Sequence, residues 1–228
     1  MIGYDSHTFD LSIDDARKLQ ERLAPEVLEQ PFVKKNYLVA GTDVSFDDGN
    51  GRAIAGVVVV RVPGLETVEE SWAEARLKFP YVPGLLSFRE IPALLGAFEV
   101  LEATPDAVIC DGQGLAHPRR FGLACHLGLI LKLPSVGCAK SRLVGTFHEP
   151  GIKRGSSSPL VYKNEAVGSV LRTRTGVSPV YVSTGHLTDL PSARRIVLDC
   201  SITRLPEPSK RAHRLVTKAM KSLASHDR

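Results

Sequence analysis

The chain has 228 residues, 43% of them hydrophobic and 24% charged, which excludes a disordered polyelectrolyte and supports one globular domain, residues 1–228, with a core of its own. A net charge of +4 and a pI near 8.9 exclude a strongly basic tail protein, but the charge is uneven: from Arg204 onward seven Lys/Arg face Glu207 and Asp227, a net +5 that leaves the rest near −1. No apolar run approaches the roughly 18 residues of a membrane span, and MIGYDSHTFD has neither the basic nor the apolar region of a secretory leader, so a cytoplasmic protein without membrane contact is expected.

Ser12 followed by Asp15 reads as a helix N-cap, and Leu19, Leu23 and Val27 recur at helical spacing, predicting an amphipathic helix over 12–29. Residues 36–46 and 53–62 are rich in β-formers and flank the turn-like DDGNG, which predicts a hairpin; 67–79 adds a third antiparallel strand. The loop PYVPGLLS precedes a helix over 88–103, and the short apolar run 107–110 is a buried strand ending in DGQG. A helix near 121–132, a strand at 135–139 and a polar surface loop at 151–159 follow. Strands at 166–173 and 179–184 then lead into helices near 189–200 and 208–224. Three antiparallel strands followed by strands alternating with helices predict an α/β fold, a mixed sheet with helices on both faces.

Cys110, Cys125, Cys138 and Cys200 form no CxxC pair and read as small buried hydrophobes of a reducing compartment. The carboxylates are more informative. Asp43 ends the apolar run LVAGTD, Asp111 ends VICD, and Glu90 shares a helical stripe with Leu94, Ala97 and Leu101. A carboxylate in such a place costs several kcal/mol unless it is paired or holds a cation. Each alone reads better as a cap or an ion pair; three together shift the balance to hard-cation chemistry, in which metal ions activate water at a phosphodiester. His117, Lys140 and His213 extend this set, each also readable as a loop cap or a surface residue. The chain has no GxSxG, HExxH, zinc spacing or GxxxxGK[ST] loop.

The stretches GTDVSF (41–46), PYVPGLLSFRE (80–90), DGQGLAHPRRFGLACHLG (111–128), VGCAK (136–140), STGH (183–186) and RLPEP (204–208) together resemble the endonuclease V family. The first 30 residues and the last dozen add nothing to the match. The resemblance implies an RNase H-like fold and a Mg²⁺-dependent endonuclease, Mn²⁺ substituting, that acts at deoxyinosine. It implies cleavage at the second phosphodiester 3′ of the lesion, leaving 3′-hydroxyl and 5′-phosphate. By position it assigns catalysis to Asp43, Glu90, Asp111, Lys140 and His213, with Asp43, Asp111 and Glu90 as metal ligands. Tyr81 matches a wedge residue, and Pro80, Pro83, Gly84, Leu86, Gly112, Gly114 and His117 match the surroundings of an extruded base. Gln113, between the two glycines, is a mild departure.

These assignments have a physical basis. A base within a duplex is inspected only after extrusion, an aromatic can fill the gap it leaves, and Pro80 and Pro83 stiffen the loop carrying Tyr81. Glycines at 84, 112 and 114 would let backbone N–H groups approach the 6-oxo group of hypoxanthine. The expected partner is inosine-containing DNA. Inosine-containing RNA or structured DNA is the alternative substrate, a binding protein without catalysis is the reading from another class, and a monomer is expected.

Overall fold

The computed structural model describes residues 9–226; most of MIGYDSHTFD, together with Asp227 and Arg228, lies outside them. Three long strands, β1 (Tyr37–Asp47), β2 (Arg52–Val62) and β3 (Thr67–Arg76), form an antiparallel meander. The short buried strand β4 (Ala107–Cys110) lies parallel to β1, and β5 (Ser135–Ala139) lies parallel to β4. Then come β6 (Ser157–Tyr162), β7 (Glu165–Leu171) and β8 (Val180–Thr184), joined to β5 through β8. The result is one eight-stranded mixed sheet in the order β3-β2-β1-β4-β5-β8-β7-β6.

Period-two alternation divides the core. Val39, Val58, Val60, Ile109, Val136 and Val182 face one side, where helices α4 (Leu190–Asp199) and α5 (Glu207–His226) cover them with Ile196, Val197 and Ala212. Ala40, Val57, Val59, Val108 and Cys110 face the other, against Ile91 and Leu94 of α2 (Leu86–Glu99) and Leu123 and Leu127 of α3 (Leu123–Leu131). Near-continuous apolar strands such as AIAGVVVV are what a sheet covered on both faces requires. Helix α1 (Ile13–Leu23) packs outside this sandwich, setting Ala16, Leu19 and Leu23 against Phe88, Phe121 and Cys125. All four cysteines are free and buried. No helix among the described residues is long and apolar enough to cross a membrane.

Two expectations need correction. The helix predicted over 12–29 is capped by Ser12, whose Oγ accepts from Asp15 N at 3.1 Å, but it ends at Leu23 and passes into a 3-10 turn over Ala24–Glu26. Pro25 has no N–H to continue the ladder, so Val27 kept the apolar spacing without the helix. The polar segment 151–159 is only partly a loop: Ser157–Pro159 begin β6, at the outer edge of the sheet. Pro159 withholds a ladder donor and is tolerated there because an edge strand pairs on one side only, which is why a serine- and proline-rich stretch concealed an eighth strand.

Candidate active site and base pocket

The parallel register of β1 and β4 sets the geometry. Val39 lies opposite Ala107, Ala40 opposite Val108 and Gly41 opposite Ile109. Continuing that register two residues brings Asp43 level with Asp111, where the strands part. Register partners on parallel strands project to the same face, so the two carboxylates stand side by side. Lys140 follows β5, the next strand over, and its ammonium pairs with Asp111 Oδ2. Glu90 reaches the same place from the first turns of α2 and is 8% exposed.

His213 arrives from the opposite layer, and Gly41 makes this possible. A Cβ at position 41 would stand 2.3 Å from Pro208 C and Ser209 N, so only glycine lets the start of α5 lie directly on β1. Six residues into that helix, His213 Nδ1 meets Asp43 Oδ2 at 3.0 Å. Asp43, Glu90, Asp111, Lys140 and His213 thus line one cleft of about 270 Å³, together with Thr42, Val44 and Ser45.

The electrostatics are those of crowded carboxylates. Burial, with Asp111 and Asp43 nearby, pushes Glu90 well above the usual carboxylate range. Burial also raises Asp43, with Asp111 adding to it, while the contact with His213 works against the rise. Burial opposes the Lys140 ammonium, but Asp111 and Asp43 outweigh it and hold the amine above its ordinary value. Among the described residues no three His, Cys, Asp or Glu side chains are already gathered as a ready set of metal ligands. Oxygen-only donors and mutual repulsion suit a hard cation that takes one or two carboxylates and completes its shell with water and phosphate oxygens. Asp43 and Asp111 fit that pattern, with Glu90 behind them.

Beside the cleft, and sharing Asp111 and Lys140 with it, a pocket of about 310 Å³ is lined by Tyr81, Pro83, Gly84, Leu86, Gly112, Gln113 and His117, among others. That is near the lower end of ligand-pocket volumes. Val82–Leu85 is a tight turn closed by Leu85 N to Val82 O at 2.9 Å, with Pro83 at its second position and Gly84 at φ +80° in its third. Gly84 O accepts three hydrogen bonds, from Gln20 Nε2 (3.0 Å), His117 Nε2 (2.9 Å) and Arg119 Nη2 (3.0 Å). His117 Nδ1 accepts from Arg119 N at 3.2 Å, so the proton sits on Nε2. Burial depresses this imidazole to about 4. With both nitrogens engaged and the ring neutral, His117 is a brace for the turn.

The sequence-derived residues divide accordingly. Tyr81 is 70% exposed at the pocket mouth, and Pro80, also exposed, opens the loop without lining the pocket. Gly114 is committed to the fold: a Cβ there would stand 1.9 Å from Thr184 O, and its N–H donates to Ser183 Oγ at 2.8 Å. The Gly112 N–H donates to Cys110 O at 2.9 Å. Sequence reasoning missed Gln20 and Arg119, which are joined by a 2.6 Å bond from Arg119 Nε to Gln20 Oε1. The available signal was an amide within the buried stripe Ala16, Leu19, Gln20, Leu23 of α1.

The family model of endonuclease V matches residues 21–214. An endonuclease V of Nostoc punctiforme is 46% identical over 95% of this chain and 99% of its own length. The crystal structure of an endonuclease V from Streptomyces avermitilis superposes with a TM-score of 0.91 at 41% identity, covering 95% of this chain and 96% of that one. A Ciona intestinalis endonuclease V in complex with a 23mer DNA containing an inosine followed by a ribo-adenosine superposes at 0.84, with 29% identity over 92% of this chain and 98% of that one.

Proposed function

The chain belongs to the endonuclease V family and is an endonuclease of RNase H-like fold; from that premise we propose that it hydrolyses inosine-containing DNA as a single-domain, Mg²⁺-dependent enzyme. Cleavage falls at the second phosphodiester 3′ of the deaminated base and leaves 3′-hydroxyl and 5′-phosphate. The observation that carries this reading is the meeting, in one cleft, of two register-matched aspartates, a buried glutamate, a lysine and a histidine, beside a pocket of purine size. The complex of the Ciona protein with inosine-containing DNA supports the choice of substrate.

Asp43 and Asp111 would hold the metal, which when bound supplies positive charge to the phosphate and acidifies water. Lys140, already beside Asp111, is placed to neutralise a non-bridging phosphate oxygen as charge builds in the transition state. His213 Nδ1 stands 3.0 Å from Asp43 Oδ2; with a hydrogen on Nδ1 donated to that carboxylate, Nε2 is the atom that would accept a proton of the attacking water. Water adds to phosphorus as its proton passes to His213, the bond to the 3′ oxygen breaks, and that oxygen takes a proton from solvent water as it leaves. The pocket takes the base out of the stack while Tyr81 occupies its place.

The test is a gel with labelled duplexes carrying one inosine, the RNA counterpart, and an unmodified control, each with Mg²⁺ and with chelator. Nicking of the inosine duplex in Mg²⁺ alone is expected. Asp111→Asn should slow it by about 10²–10³-fold, the usual effect of removing a group that stabilises transition-state charge, with unchanged circular dichroism. Equal nicking of the control, cleavage in chelator, or an active Asp111→Asn would refute the assignment; preference for the RNA would move the substrate to RNA.

A further inference from the structure

Gln113 stands between Gly112 and Gly114 on the loop leaving β4, 9% exposed, in the wall of the base pocket. Its Nε2 donates to Ser141 O, on the same wall, at 3.0 Å. That bond fixes the amide's orientation, because turning it over would set two acceptors face to face. Oε1 is consequently a buried acceptor, and among the described residues it receives no hydrogen bond. Buried polar atoms are nearly always satisfied, since an acceptor stripped of water and left unpaired is unfavourable. The backbone donors on either side are spent within the fold, Gly112 N on Cys110 O and Gly114 N on Ser183 Oγ. Of the side-chain atoms on this stretch, the buried one left without a partner among the described residues is therefore an acceptor.

The two bases to be told apart differ in what they offer an acceptor. Hypoxanthine carries N1–H beside its 6-oxo group, whereas adenine has a bare N1 lone pair beside an amine. An acceptor facing N1 bonds the first and repels the second. Building on the inosine reading above, we propose that Gln113 is a specificity-determining residue whose Oε1 accepts the ring N1–H of the extruded oxopurine. Guanine shares that N–H, so the contact separates oxo- from aminopurines and does no more. A site built to hydrogen-bond its substrate discriminates well because a wrong ligand leaves the buried group unpaired.

The experiment measures kcat/KM for the wild-type protein and Gln113→Met on duplexes containing inosine or N1-methylinosine, with Gln113→Leu as a second apolar replacement should the first fail to fold. The wild type should lose about tenfold or more on N1-methylinosine. Gln113→Met should lose about tenfold on inosine and show little or no further loss on the N-methylated base, since the bond is already gone; tenfold is the order expected for one hydrogen bond. If Gln113→Met keeps the wild-type rate on inosine, or the wild-type ratio between the two substrates, the inference is overturned while inosine cleavage itself stands. A wild-type protein that cuts neither duplex overturns the inosine reading and this inference together.

Discussion

Glu90 is the most costly side chain in the cleft. Its folded pKa lies well above its unfolded value, burial being the chief cause and the two aspartates the next. For a carboxyl shifted in this direction the penalty is absent below the unfolded pKa. It grows as pH rises from there through the folded value, because the unfolded chain then gives up its proton more readily. Without divalent ions the wild-type protein should therefore lose thermal stability as pH climbs from about 4.5 toward neutrality, and Glu90→Gln should lose less. Melting curves of both proteins in chelator, from acid to neutral pH, check this; parallel curves would show that Glu90 is not the strained group. At this scale the sequence was informative. Asp43, Glu90 and Asp111 were conspicuous as charges in apolar runs, and all three reach one cleft. Gln20 was obscure because its value lies in two carbonyls, Gly84 O and Phe121 O, that stand far away in the chain and near it only once folded.

Among the elements, α5 and the Pro83–Gly84 turn do the positioning. Gly41→Ala sets a methyl group into the backbone of Pro208 and Ser209, where little can yield, so α5 must ride outward and carry His213 away from Asp43. Overpacking of this kind costs about 1–3 kcal/mol. The expected result is a modest fall in denaturation midpoint with a larger loss of turnover, and a variant that unfolds more easily but nicks normally would contradict it. Tyr81→Ala at the exposed turn should weaken binding to inosine duplex by roughly 1–3 kcal/mol, one base–aromatic stack, with little change on unmodified duplex. Competition binding checks the ratio; an unchanged ratio would make the turn a plain surface feature. Strand periods and the Ser12 cap made most elements legible in advance. The end of α1 and the whole of β6 were not, since proline and serine stretches look alike whether they make a loop or a sheet edge.

Across the whole molecule, the positive charge near the carboxyl end resolves into two populations. Lys210 is bound to Glu207 and Thr203, and Arg211 to Leu65 O and Thr67, so both serve to fasten α5. Arg214, Lys218 and Lys221 are exposed along one stripe of the helix, and Arg214 adjoins Lys140 and His213 beside the cleft. Arg214→Ala with Lys218→Ala should weaken binding to damaged and undamaged duplex alike. The slope of log K against log salt should fall by up to roughly 1.8, about 0.9 for each phosphate no longer neutralised. A loss confined to inosine duplex would assign these side chains to base recognition instead. Sequence counting found the excess charge but not its division, which depends on what each side chain meets across the fold. The hydrogen bond between His213 and Asp43 spans 170 positions of the chain and closes the cleft from the last helix. On the mechanism proposed above, a chain that has not yet made α5 carries every carboxylate of the cleft and still lacks its proton acceptor, so the capacity to cut nucleic acid would wait on that helix.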